Sequence, residues 1–196
     1  MKRIIFTQIL ILISIISFSQ DIKMTTERVE NKELQDLLSF ENIDYYNVTF
    51  SGKSLIGKDY LLISKEIWNG VITKTDTIVN SSKNKRISKI EKDSLSFKVI
   101  SKKTTDNFLK MNFRFTQFGM TRKYRAIDSD DYSLRDFGTS VKIKSGQNFY
   151  ALAYILPYEK DGWKMWCAVE SSGKNIENWG KEFEIEHYLI FEMKFE

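Results

Sequence analysis

Apolar and polar residues alternate with a period of two through most of the chain after residue 43. The clearest case is the run in which Leu109, Met111, Phe113 and Phe115 are each separated by one polar residue. Successive side chains of a strand point to opposite faces, so this pattern predicts a strand with one buried face. The same alternation at residues 187–195 predicts a closing strand. By contrast, residues 149–157 are apolar at both parities, which is typical of a central strand.

Two dipeptides predict hairpin turns between such runs. Asn69-Gly70 separates residues 60–68 from residues 71–79, and both residue types accept the positive φ of a type I′ turn. The resulting register pairs Trp68 with Val71 and Leu61 with Ile78. Asp161-Gly162 predicts a second turn, leading into a strand that starts at Trp163.

One short helix is predicted near the start of the chain. Leu34, Leu37, Leu38 and Phe40 recur at spacings of three and four, and Asn31 is a candidate N-cap. Residues 21–31 are polar and are expected to form a loosely held leader. Polar stretches at 80–94 and 128–138 are expected to be loops, the first with weak edge-strand character.

These elements predict an all-β chain of eight or nine strands. No helix-length segment separates the strands, which excludes parallel βαβ units. The two polar stretches break the even spacing of an up-and-down barrel, so an antiparallel β-sandwich is favoured. The expected organisation is a polar leader and short helix over residues 20–42 and a sandwich domain over residues 43–196.

The first 19 residues have the pattern of a secretory signal peptide. Met1-Lys2-Arg3 is basic, residues 4–16 are almost entirely apolar, and Ser17 and Ser19 are small residues at the −3 and −1 positions. We expect cleavage between Ser19 and Gln20 and a periplasmic or secreted protein. The apolar run has 13 residues, against about 20 for a spanning helix.

Composition narrows the classes of partner. Cleavage would remove Lys2 and Arg3 and leave 28 basic residues against 26 acidic ones. Phosphate binding needs clustered basic residues, so we expect no nucleic-acid partner. The lone cysteine, Cys167, lies far from the apolar run, which excludes a lipid anchor on a cysteine there and any disulfide framework. No later run approaches the length of a membrane span.

Three segments carry a resemblance to a known group of proteins. They are Gln20 directly after the cleavage site, residues 65–70, and residues 154–196. In these segments the chain resembles an uncharacterised family of small exported Bacteroidota proteins, and the resemblance covers most of the mature chain. The family implies no reaction, ligand or catalytic residue.

Residues able to do chemistry are few. Cys167 and His187 would form a nucleophile pair only if the fold brought them together, and a buried thiol is otherwise inert. The acidic group Asp128, Asp130 and Asp131 suggests calcium. The EF-hand spacing fails, however, because Ser133 and Thr139 stand where glycine and glutamate are required. We therefore expect no catalytic residue, no metal and no cofactor.

Aromatic residues beside turns are the best candidates for a contact surface. Trp163 follows a turn and Trp179 lies in a polar segment, so both are expected to be exposed, with Tyr158 nearby. The first functional hypothesis is an exported, non-enzymatic binding protein that contacts a protein or glycan, of the immunity or inhibitor type. The alternatives are a carboxylate-based hydrolase and an assembly subunit that pairs an edge strand with a partner.

Overall fold

The computed structural model describes residues 22–166 and 175–196, and these ranges are mostly β-strand. Two of the short elements are α-helices, and three further turns are 3₁₀-helical, at Lys53–Leu55, Gly138–Ser140 and Ile176–Asn178. In chain order, the elements are β1 (Lys23–Glu27), α1 (Lys32–Phe40), β2 (Asp44–Ser51), β3 (Tyr60–Trp68), β4 (Val71–Asn80), β5 (Ser94–Lys103), β6 (Phe108–Phe115), β7 (Gly119–Arg125), β8 (Ser133–Asp136), β9 (Phe149–Ile155), β10 (Tyr158–Lys160), β11 (Trp163–Met165), α2 (Trp179–Glu182) and β12 (His187–Phe195).

The strands form two five-stranded antiparallel sheets. The first sheet has the order β1-β2-β5-β6-β7, and the second has the order β4-β3-β12-β9-β8. Strands β10 and β11 make a separate hairpin. The sheets do not close into a barrel. The predicted antiparallel, mostly β chain is therefore confirmed, with β9 in the interior of its sheet as its sequence predicts.

Aromatic side chains join the inner faces of the two sheets. Phe50 of β2 lies 5.2 Å from Phe195 of β12, and Phe113 of β6 lies 5.2 Å from Phe191, as ring centroids in edge-on geometry. All four rings are completely buried. Burying a phenylalanine contributes roughly 1.5–3 kcal/mol, so these contacts are a main source of stability.

Side chains of the first sheet form hydrogen bonds with both edge strands of the second sheet. Strand β8 pairs only with β9, and its outward-facing Leu134 carbonyl accepts a 3.2 Å hydrogen bond from the Tyr46 hydroxyl of β2. At the opposite edge, Arg122 of β7 donates to Asp76 at 2.8 Å and to the Thr77 carbonyl of β4 at 3.1 Å. Each edge strand of the second sheet is thus tied to the first sheet.

Helix α1 begins after Asn31, whose side chain accepts a hydrogen bond of 2.8 Å from the Leu34 N–H. Its apolar residues stay at the surface, with Leu37 57% and Phe40 83% exposed. Among the described residues, no helix has the length and apolar character needed to cross a membrane.

Several expectations about the elements are wrong. Residues 23–27, assigned to a loose leader, form β1 and pair with β2 because Met24 is buried in the core. The loop expected at 128–138 contains β8. In the first hairpin, Trp68 pairs with Val71 as predicted, but Leu61 pairs with Asn80 instead of Ile78. The described residues contain twelve strands rather than eight or nine.

Candidate functional site

The hairpin β10–β11 presents one large indole to solvent. Asp161 and Gly162 have φ angles of 53° and 78°, so they form the two-residue turn that the sequence predicts. Trp163, the first residue after the turn, is 75% exposed. It is surrounded along the chain by charged, exposed residues, namely Glu159, Asp161 and Lys164.

The base of this hairpin is fixed to the body of the protein. Lys164 donates to the Asp131 carboxylate at 2.6 Å, and the Trp166 indole N–H donates to the Asp131 carbonyl at 2.9 Å. The Arg135 guanidinium lies 5.6 Å from the centroid of the Trp166 ring. The anchored base holds Trp163 in a defined position while its ring remains free.

Tyr158 lies on the first strand of the hairpin and is half-buried. Its ring centroid is 5.3 Å from that of Phe183, and its hydroxyl donates to the Met165 sulfur at 3.7 Å. Tyr158 therefore supports the hairpin more than it extends the surface around Trp163.

Trp179 does not belong to an exposed surface, contrary to the sequence prediction. It opens α2, is only 3% exposed, and packs edge-on against Phe137 at 5.4 Å. The reason is that residues 176–183 cover the outer face of the second sheet, where the Tyr188 hydroxyl donates to the Ile176 carbonyl at 2.8 Å. The spacing of Ile176, Trp179 and Phe183 is a helical signal that could have revealed this.

The outer face of the second sheet also holds two carboxylates on one lysine. The Lys65 ammonium lies 2.5 Å from Glu177 and 2.7 Å from Glu192. The Tyr150 hydroxyl donates to the same Glu177 oxygen at 2.5 Å. Asn148 hydrogen-bonds the other oxygen of Glu192.

The protonation of this cluster disfavours acid–base catalysis. The hydrogen bonds from Lys65 and Tyr150 lower the pKa of Glu177. Burial opposes the charged form of Lys65, but its hydrogen bonds to the two carboxylates outweigh burial and raise its pKa. A general acid for glycoside hydrolysis needs a raised carboxyl pKa. The cluster therefore acts as an ionic tie between residues 176–182 and the sheet.

His187 lies in a buried polar group between the sheets. Its Nδ1 is 2.7 Å from the Tyr132 hydroxyl, and its Nε2 is 3.7 Å from the Glu66 carboxylate. The Trp68 indole N–H donates to that carboxylate at 2.9 Å. Burial raises the pKa of Glu66, but the neighbouring His187 and the hydrogen bond from Trp68 lower it further than burial raises it.

The His187 side chain is completely buried, so a substrate bound at the surface would not contact it directly. Its predicted partner Cys167 lies outside the described residues. The acidic group is likewise engaged with lysines: Lys103 lies 3.1 Å from Asp128 and 3.3 Å from Asp130, and Lys164 binds Asp131. In residues 22–166 and 175–196, no cluster of three potential ligand side chains could hold a metal ion.

Comparison with known proteins adds no relative to this description. No protein-family model, curated protein or solved structure matches the chain.

Proposed function

We propose that this protein is an exported, non-enzymatic binding protein, an antiparallel β-sandwich that contacts a protein or glycan through the β10–β11 hairpin. The observation that carries the proposal is the 75% exposed indole of Trp163 on an anchored hairpin. An indole offers a large, rigid contact area that loses little conformational freedom on binding. Tryptophan is also enriched in the cores of protein–protein interfaces.

The alternative of a carboxylate-based hydrolase receives less support. Glu177 and Glu192 both form an ion pair with the same group, the Lys65 ammonium. The hydrogen bond from Lys65 lowers the pKa of Glu177, so Glu177 is not suited to donate a proton to a leaving group.

The alternative of an assembly subunit that adds an edge strand also receives less support. Two register shifts interrupt the pairing of β4 with β3, and Lys74 lies between them. On the outer edge of β4, Arg122 donates a hydrogen bond to the Thr77 carbonyl. Bulges and charges of this kind prevent edge-to-edge pairing in natural sheets.

The support for export is the signal-peptide pattern of residues 1–19. Cleavage before Gln20 would keep Ile22 in the mature protein, where it is 2% exposed and forms a bridge to Ile143. Expression with residues 1–19 in a Gram-negative host is expected to give a periplasmic protein that starts at Gln20. Intact mass spectrometry showing residues 1–19 still attached would contradict export by cleavage.

The contact surface is tested by comparing two exposed aromatic residues on different elements. Tagged mature protein, Trp163→Ala and Phe40→Ala are used to capture extracytoplasmic proteins from the native cells and to probe an immobilised glycan panel. We expect Trp163→Ala to weaken the interaction about 10- to 100-fold, as for an aromatic hot spot. Phe40→Ala, on α1, should leave it unchanged.

Two results would overturn the proposal. The first is an interaction that Phe40→Ala abolishes and Trp163→Ala preserves, which would move the surface to α1. The second is that the wild-type protein captures no more protein or glycan than the two variants do.

A further inference from the structure

A cleft of about 470 Å³ separates α1 from the start of β2 and from β8. Its charged lining residues are Arg28, Asp44 and Arg135. This set has one net positive charge when Asp44 is ionised. On the side of α1, the lining is partly apolar and includes Leu38 and Ile43.

Aromatic rings hold both arginines in this cleft. The Arg28 guanidinium carbon lies 5.8 Å from the centroid of Tyr46, and that of Arg135 lies 5.6 Å from the centroid of Trp166. A guanidinium over a ring still has its N–H donors in its own plane, available for bidentate contact with an anion.

The arginines have no protein anion in contact. Within residues 22–166 and 175–196, no carboxylate oxygen lies within 4.0 Å of either guanidinium, and the buried Arg135 Nε has no hydrogen-bond partner. Buried donors are almost always paired, so an unpaired one requires an explanation.

Asp44 opens β2 beside the edge of β8, where the Leu134 carbonyl accepts a hydrogen bond from the Tyr46 hydroxyl. Burial raises the pKa of Asp44 to about 6, although Leu134, Arg135 and Arg28 each act to lower it. The two guanidinium groups therefore remain available to a ligand.

We propose that this cleft binds a small monoanionic carboxylate with a short apolar group beside it, using Arg28 and Arg135 as its anion contacts. One net positive charge matches a single carboxylate, whereas a doubly charged phosphate would be repelled by Asp44. Leu38 and Ile43 face the apolar group. The carboxylate can belong to a free acid or to the C-terminus of a peptide. This site goes beyond the Trp163 surface and does not depend on it.

Calorimetric titration of the mature protein tests the ligand class with four probes: N-acetyl-leucine, its neutral amide, 4-methylpentanoate and inorganic phosphate. We expect saturable binding of N-acetyl-leucine. The amide and phosphate should bind at least about tenfold more weakly than N-acetyl-leucine. Equal binding of 4-methylpentanoate assigns a free acid, and preference for N-acetyl-leucine assigns a peptide C-terminus. The proposal is wrong if the amide binds as well as the acid, or if no probe saturates up to about 10 mM.

Variants then locate the site. Arg28→Gln and Arg135→Lys should each lower the affinity for N-acetyl-leucine about tenfold or more. Arg114→Gln, an exposed arginine of the first sheet, and Trp163→Ala should bind like the wild type. Thermal melts check folding, and if Arg135→Lys is unfolded, Arg28→Gln alone decides. An equal loss in Arg28→Gln and Arg114→Gln would overturn the assignment.

The pH dependence gives an independent readout. The charged and titratable groups around Asp44 are Arg28, Arg135, Tyr46 and Tyr154. The pKa of Asp44, about 6, lies between the two pH values to be compared, about pH 5 and about pH 7.5. Protonation of Asp44 at the lower pH removes a repulsive charge, so affinity for N-acetyl-leucine should rise about tenfold. Asp44→Asn should abolish this dependence. An unchanged dependence in Asp44→Asn would contradict the role of Asp44.

Discussion

At the residue scale, Asp44 shows how the junction of the two sheets sets the chemistry of a side chain. It opens β2 in the first sheet, and the backbone of Leu134 in the second sheet acts to lower its pKa. The junction also partly buries the carboxyl group, and the effect of burial is the larger one. Burial raises the pKa of Asp44 from its ordinary value of 3.8 to about 6.

The raised pKa predicts a stability that depends on pH. The folded state binds the proton of Asp44 more tightly than the unfolded state, so this contribution is complete below about pH 4 and is lost as pH rises through about 6. Asp44→Asn keeps the size and shape of the side chain and removes the partly buried charge. We expect it to raise the free energy of unfolding by about 2 kcal/mol at neutral pH and to change it little below about pH 4.

Urea unfolding at a series of pH values measures this effect. Asp130→Asn is the matched control, because the Asp130 side chain is 80% exposed. It should show the wild-type slope between about pH 4 and about pH 6. If Asp44→Asn also shows the wild-type slope, the Asp44 carboxyl is not perturbed as described.

The tryptophans provide a second prediction at this scale, because two of them were expected to be alike and are not. Trp163→Ala removes an exposed ring and should change the free energy of unfolding by less than about 0.5 kcal/mol. Trp179→Ala removes a ring that packs on Phe137 and should cost about 3–5 kcal/mol.

Iodide quenching of fluorescence checks the same assignment. The most accessible part of the emission should disappear in Trp163→Phe and persist in Trp179→Phe. The assignment of these rings is wrong if the two alanine variants lose equal stability. It is also wrong if iodide quenches Trp163→Phe as fully as the wild type.

At the element scale, the turn of the first hairpin is fixed by a close contact as well as by its own conformation. Asn69 and Gly70 have φ angles of 49° and 71°. A Cβ on Gly70 would lie 2.9 Å from the Lys181 backbone nitrogen, and one on Gly180 would lie 2.4 Å from the Gly70 nitrogen. The turn and α2 therefore pack backbone against backbone.

This contact predicts different costs for two glycine substitutions with similar backbone angles. Gly146 has a φ of 82° and open space around its Cβ position, so Gly146→Ala should cost only the conformational strain, about 1 kcal/mol. Gly70→Ala adds the clash with α2 and should cost about 1–3 kcal/mol more. Thermal and urea unfolding of both variants measure the difference. Equal costs would mean that α2 does not pack on the turn.

The same elements show what local sequence can predict. The turns at Asn69-Gly70 and Asp161-Gly162 were predictable because Asn, Asp and Gly are the residue types that accept the left-handed backbone conformation. The register beyond Ile67 was not predictable, since Thr73 and Ile78 are bulged and alternation alone carries no sign of a bulge. Strand β1 was missed because an edge strand half exposed to solvent has a polar sequence.

The candidate sites depend even more on tertiary structure. The exposure of Trp163 follows from its place beside a turn, so the sequence was sufficient for it. The burial of Trp179 depends on the second sheet beneath it, and only the helical spacing from Ile176 indicated this. The cleft joins Arg28, Asp44 and Arg135, which are far apart in the chain and have no shared motif.

At the scale of the whole molecule, the two sheets share one core and cannot be separated without exposing it. Tyr124 of β7 donates to Ser64 of β3 at 2.8 Å. Rings from both sheets form a continuous apolar cluster. The inner apolar face of each sheet is covered by the other sheet, so the described strands should unfold together.

Phe113→Ala tests this unity. The ring belongs to the first sheet, is completely buried and lies against Phe191 of the second sheet. Its loss should cost about 3–5 kcal/mol. Far-UV circular dichroism reports strands of both sheets. Tryptophan fluorescence comes from four indoles, none of which lies in a strand of the first sheet, and two of them, Trp68 and Trp179, lie in or on the second sheet. Because the core is shared, both signals should shift to the same lower urea midpoint in one cooperative transition. A fluorescence midpoint that stays at the wild-type value while the dichroism midpoint falls would show that the second sheet folds without the first.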